Sequence, residues 1–152
     1  IMLFGMAEWE NYQNIETQYL HDFRFHYYTN TYIDYNRLTV KDFVRKTRMT
    51  YKYEPSSLTF QGYDITFYFC QLLKMYGPEF QYCIDAPYQI PGEKGMSVEF
   101  DFQRTDIFGG FENKSVHLVK YGDEFSIKKV DSLIIDTLRI ETDIENENFD
   151  FD

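Results

Sequence analysis

Residues 56–77 read SSLTFQGYDITFYFCQLLKMYG, and how this stretch folds decides the rest of the chain. Glu54-Pro55 ends whatever helix precedes it, because a residue before proline avoids the α region, and Ser56 or Ser57 can cap a new one. From there Leu58, Phe60, Ile65, Phe67, Tyr68, Phe69, Leu72, Leu73 and Tyr76 cover nearly every side of a helix, the pattern of one enclosed between other layers. Gly77 suits a left-handed cap, and Pro78 opens a short helix over residues 78–83. Gln61, Asp64, Gln71 and Lys74 interrupt the apolar run and are expensive in lipid, so this helix is not membrane-spanning.

Towards the N-terminus, Thr39-Val40-Lys41-Asp42 reads as a capped start, with Val40, Phe43, Val44, Thr47 and Tyr51 at helical spacing up to Glu54-Pro55. Residues 32–37 connect it to a strand over residues 23–29. A short buried strand over residues 1–6, ending at Gly5, leads through a loop to a helix somewhere in residues 8–20. Towards the C-terminus, the period changes after the Pro/Gly-rich loop 86–95. Val98, Phe100 and Phe102 alternate with Glu99, Asp101 and Gln103, as in a strand with one wet face. Two further strands, residues 116–121 and 124–128, flank Gly122-Asp123 as a hairpin. Alternating helices and strands that end in a hairpin predict an α/β layout with an antiparallel finish.

Length and composition bound the function. A chain of 152 residues can bury a core without staples, and with 15 Phe and 14 Tyr that core is aromatic. The net charge of −10 gathers in residues 131–152, where eight acids face the single base Arg139. That balance repels phosphate backbones and excludes nucleic acid as a partner. Leu133-Ile134-Ile135 and Leu138 with Ile140 can pack, whereas the last few residues read as frayed. Cys70 and Cys83 can bridge if geometry permits, but buried reduced thiols are the plainer reading. The chain opens on an apolar run without a leader and not on Met, as an excised piece of something longer does.

Chemical motifs are mostly absent. His21, His26, His117, Cys70 and Cys83 form no close ligand pair, so no metal is expected. Neither a dinucleotide fingerprint, nor a P-loop, nor a nucleophile elbow occurs, so no cofactor and no catalysis are expected. Asn113-Lys114-Ser115 matches the glycosylation sequon, and entry into a hairpin explains it equally well.

Several stretches taken in order resemble the C-terminal part of type I periplasmic solute-binding proteins of the leucine/isoleucine/valine-binding kind. They are Leu3-Phe4-Gly5-Met6-Ala7-Glu8, Phe43-Val44-Arg45-Lys46 with Tyr51, Glu54-Pro55-Ser56, Gly62-Tyr63-Asp64-Ile65, and Gly95-Met96 before Val98-Glu99-Phe100. Parts of the set also resemble envelope members attached to peptidoglycan-binding modules. The resemblance implies an α/β fragment of a bilobal fold, parallel strands with packed helices and a C-terminal β-hairpin. Residues 1–54 would end lobe two, 55–130 would hold the crossover and the end of lobe one, and 131–152 would form a partly disordered acidic segment.

The same resemblance implies a receptor module in the periplasm or cell envelope, ABC-transporter-like and non-catalytic, that closes by hinge motion on a small polar solute or cell-wall fragment. Its tyrosine matching Tyr63 lines the pocket, and its acid matching Glu8 pairs with the ligand ammonium. Independently, a carboxylate at a strand's C-terminal end sits where open α/β sheets bind ligands, and Trp9 is a further cleft candidate. The alternative is an envelope scaffold that keeps the fold and holds a protein or peptidoglycan partner. A cut sheet face predicts self-association of the fragment.

Overall fold

The computed structural model describes residues 2–85, 94–123 and 125–130. The segment 131–152, Ile1 and most of the expected loop 86–95 lie outside the described residues, and so do the expectations made for them.

Strand β1 (Leu3–Met6) runs into a 3₁₀ turn (Ala7–Asn11), helix α1 (Thr17–Asp22) and strand β2 (Phe25–Thr29), which lies parallel to β1 with Leu3 opposite Phe25. The single helix expected in residues 8–20 is therefore two short pieces, and the strand expected to be buried alternates between half-buried and exposed residues. Strand β1 stands at one end of the four-stranded order, so its outer side has no sheet neighbour among the described residues.

Gly5 serves a close approach rather than a turn. A Cβ there would lie 2.7 Å from the Trp9 ring and 2.8 Å from Phe25, two rings stacked at 5.5 Å. Gly5→Ala is expected to cost about 1–3 kcal/mol by overpacking, read as a lowered urea midpoint with an unchanged slope.

Helix α2 (Leu38–Tyr51) begins one residue before the expected cap, with no side chain capping it, and stops at Lys52, whose φ is 61°. It ends before Pro55 is reached. The bidentate Arg48–Glu54 pair beyond it, at 2.6 and 2.8 Å, is solvent-exposed and adds little. Helix α3 (Ser57–Tyr76) starts as expected at Ser56, which forms a reciprocal box with Thr59. A second 3₁₀ turn (Gly77–Tyr82) follows directly.

Helix α3 departs from the all-round enclosure that its composition predicts. Phe60, Asp64, Tyr68 and Leu72 are buried as one stripe at four-residue spacing. Leu58, Ile65, Leu73 and Met75 are exposed among the described residues. Cys70 is exposed too, which overturns its expected burial, and Cys83 is half-buried; both thiols are free. The reason is that, among the described residues, what packs on α3 covers one side: α2, the second 3₁₀ turn and the segment 95–102.

Among the described residues, strands β3 (Phe102–Arg104) and β4 (Phe111–Asn113) pair only with each other, in a sheet separate from the main one. The strand expected from Val98 onward is thus shorter than its alternation suggests. The alternation still chose the right face, because Val98, Phe100 and Phe102 pack with Tyr68 and Leu72 of α3. Strands β5 (His117–Tyr121) and β6 (Ile127–Val130) form the expected hairpin, but β6 begins at Ile127, too far along the chain for a two-residue Gly-Asp turn. Gly122 N donates to Ser126 O at 2.8 Å, and Phe125 takes a φ of 55°.

The main sheet has the order β1-β2-β5-β6, with one parallel pair and two antiparallel pairs. The fold is mixed α/β, with less parallel sheet than expected. Three apolar clusters hold it. Phe25, Tyr27, Val119, Tyr121 and Leu20 form the one between the sheet and α1. Tyr68, Leu72, Ile84 and Phe100 form the second, and Val40, Phe60 and Met96 join α2 to α3 in the third. Among the described residues no helix is long and apolar enough to cross a membrane.

Candidate functional site

The segment 95–98 runs along the buried stripe of α3, and Asp64 fixes it there. Asp64 is 3 % exposed. Its carboxylate accepts four hydrogen bonds, from Met96 N at 2.9 Å, Ser97 N at 2.7 Å, Ser97 Oγ at 2.9 Å and Val98 N at 3.1 Å. A buried carboxylate needs such donors in place of water. Gly95 completes the arrangement: a Cβ would meet the Val98 carbonyl oxygen and lie 2.6 Å from Asp64 Cγ. The segment is tied on its other side as well, by Arg37 Nη1 to Gly95 O at 2.9 Å and Tyr32 N to Ser97 O at 2.9 Å.

Two clefts open on either side of this tied segment, and Arg37 and Gly95 line both. The first, of about 590 Å³, lies between α2 and α3. Tyr63, Phe43 and Phe67 give it an aromatic wall, with Tyr63 stacked on Phe67 at 5.9 Å and tilted against Phe43 at 4.9 Å. Thr47, Thr50 and the cations Lys46 and Lys94 supply polar groups. The aromatic rings offer an apolar surface and the rim offers donors, which is the usual make-up of a small-molecule pocket.

The second cleft, of about 670 Å³, is polar, and β5, the loop before α2 and the β5–β6 hairpin contribute to it. Glu99 and Lys129 form a half-buried ion pair at 3.0 Å across it. Burial works to raise the Glu99 pKa, but the hydrogen bond and charge of Lys129, with His117 and Lys94, hold it below the ordinary carboxylate value. His117 is 3 % exposed, and its Nδ1 finds no hydrogen-bond partner among the described residues. Burial first, and then the charge of Lys129, push its imidazole pKa down.

The structure separates the residues selected from sequence. Tyr63 lines the first cleft and is partly exposed there. Glu8 is exposed in the 3₁₀ turn after β1, and Trp9 packs on Phe25 and the cluster beneath the sheet; neither lines either cleft. In that turn the acid with a specific setting is Glu10, beside the hydroxyls of Tyr27 and Tyr121. Burial, followed by Glu10, pushes both phenol pKa values well up.

Asn113, read as a sequon or a hairpin residue, accepts from Asp101 N at 2.8 Å and donates to Glu99 O at 2.9 Å, so its amide braces the base of the β3–β4 hairpin. Asp64 was legible as an acid between Phe60 and Tyr68 on an apolar row, a position that demands partners. Arg37 and His117 had no such signal. Comparison of the chain with protein-family models, with curated proteins and with solved structures finds no match.

Proposed function

We propose that the chain is part of a type I periplasmic-type receptor, a module that binds a small polar solute, amino-acid-like or cell-wall-derived, in the bacterial envelope without catalysing a reaction. The observation that carries this reading is the aromatic-walled cleft at Tyr63, whose volume falls in the range of about 300–1,000 Å³ typical of small-ligand pockets. The resemblance implies a ligand contact at that residue. Residues 54–58, between α2 and α3, are the proposed hinge, and Glu8, exposed beyond the end of β1 and outside that cleft, is the proposed partner for a ligand ammonium once the hinge closes.

Thermal-shift screening with pools of amino acids, short peptides and muropeptides tests this. A ligand that saturates the folded state raises its melting temperature, and at about 100 times Kd the stabilisation is about 2.7 kcal/mol. Tyr63→Ala should weaken the hit by about tenfold or more while the ligand-free protein melts near the wild-type temperature. A flat response to every pool would remove the receptor reading.

A second reading, an envelope scaffold that holds a protein or peptidoglycan partner, draws on the apolar surface left open. Leu58, Ile65 and Leu73 on α3 and Phe108 beside the β3–β4 hairpin are exposed among the described residues.

A further inference from the structure

We propose that the polar cleft beside His117 is a separate binding site for a compact oxyanion, the carboxylate or phosphate group of a small solute. It rests on observations independent of the Tyr63 cleft.

Cations outnumber acids in this cleft. Three cations, Arg37, Lys128 and Lys129, line it with two acids, Asp34 and Glu99. Glu99 is held by Lys129 at 3.0 Å, and Asp34, whose Oδ1 accepts from Asn36 N at 2.9 Å, is the one remaining acid against Arg37 and Lys128. Arg37 donates one N–H to Gly95 O and has no other side-chain hydrogen bond among the described residues; Lys128 has no ion pair there. A guanidinium fork with open donors is the group best shaped for bidentate contact with a carboxylate or phosphate.

His117 adds a second, independent sign. It is among the residues that line the cleft, is almost fully buried, and keeps Nδ1 without a hydrogen bond among the described residues, an arrangement a self-contained core avoids because an unmet buried polar atom is costly. Lys129 and Glu99, themselves paired at 3.0 Å, both act on the ring, with opposite sign. An oxyanion held by the open donors of Arg37 and Lys128, beside the imidazole, supplies an acceptor and a counter-charge for those two cations. That a chain of net charge −10 keeps a cation-rich cleft at all argues for a local purpose, since long-range attraction would not bring an anion to this surface.

The test is calorimetry and histidine-ring NMR on the whole chain, with sodium phosphate or sodium malonate titrated against sodium chloride at matched ionic strength. Saturable heat and a selective shift of the His117 ring signals are expected with phosphate, malonate or both. The stronger of the two identifies the anionic group as phosphoryl or carboxylate. Lys128→Ala should weaken binding by about fivefold or more, and Arg37→Lys should do the same by removing the fork. Lys74→Ala, which removes the same charge from α3 outside the cleft, should leave the affinity unchanged. The proposal is overturned if neither anion moves the His117 signals, if chloride reproduces the effect, or if Lys74→Ala weakens binding as much as Lys128→Ala.

Discussion

Asp64→Ala releases the segment 95–98 and lowers stability by about 3–5 kcal/mol. The alanine leaves three backbone N–H groups, of Met96, Ser97 and Val98, without the acceptor they share, in a place where little water can replace it. Hydrogen bonds to an ionised group are each worth about 1.5–3 kcal/mol, and buried donors left unmet add their own desolvation cost. Asp64→Asn should fall between wild type and alanine, because one carbonyl oxygen survives while the amide nitrogen faces donors. Urea unfolding gives the magnitude, and amide exchange at Met96, Ser97 and Val98 locates it. A loss below about 1 kcal/mol, with exchange unchanged, would mean that the segment is held by its apolar neighbours alone. Since the same segment separates the two clefts, both clefts should lose their definition in Asp64→Ala.

Tyr68→Ala should cost about 3–5 kcal/mol, whereas Leu58→Ala on the same helix should stay within about 0.5 kcal/mol. Tyr68 is 1 % exposed and stacks on Phe100 with centroids 4.2 Å apart, so truncation opens a cavity that the ring cluster around it cannot close. Leu58 is 73 % exposed and has little to lose. The contrast measures whether α3 is enclosed on one side or on several. Equal losses at the two positions, by chemical denaturation, would show that a further layer covers the Leu58 side in solution.

The order of elements was largely readable. Period-2 and period-3.6 patterns with their punctuation gave the β1–α1–β2 unit, α2, α3 and the final hairpin, because these depend on neighbours close in the chain. The errors came where tertiary pairing decides. The stretch from Val98 alternates like a strand of the main sheet, yet it lies against α3, tied by a carboxylate from 34 residues earlier in the chain. The composition of α3 predicts enclosure on all sides, but only the stripe at four-residue spacing found partners among the described residues.

The site divided in the same way. Tyr63 was reachable from the stretch Gly62-Tyr63-Asp64, which also raised Asp64 without revealing its structural role. One residue faces a cleft, and the next anchors the backbone that borders it. Arg37 and His117 lie in a loop and a strand that look ordinary by themselves. They line a common cleft only because the sheet places β5 beside β2 and the segment 95–98 crosses near both.

Local chemistry along the chain set where most helices and strands lie, which residues carry their apolar faces, and that the core is aromatic, since these follow from backbone preference and the period of the side chains. Packing in three dimensions made Asp64 an anchor, set a half-buried Trp9 against the core beside Gly5, and opened two clefts around one tied segment. Those features are contacts between residues that the fold, and not the order of the chain, brings together. No local pattern records which distant donor a carboxylate will meet or which wall a histidine will join.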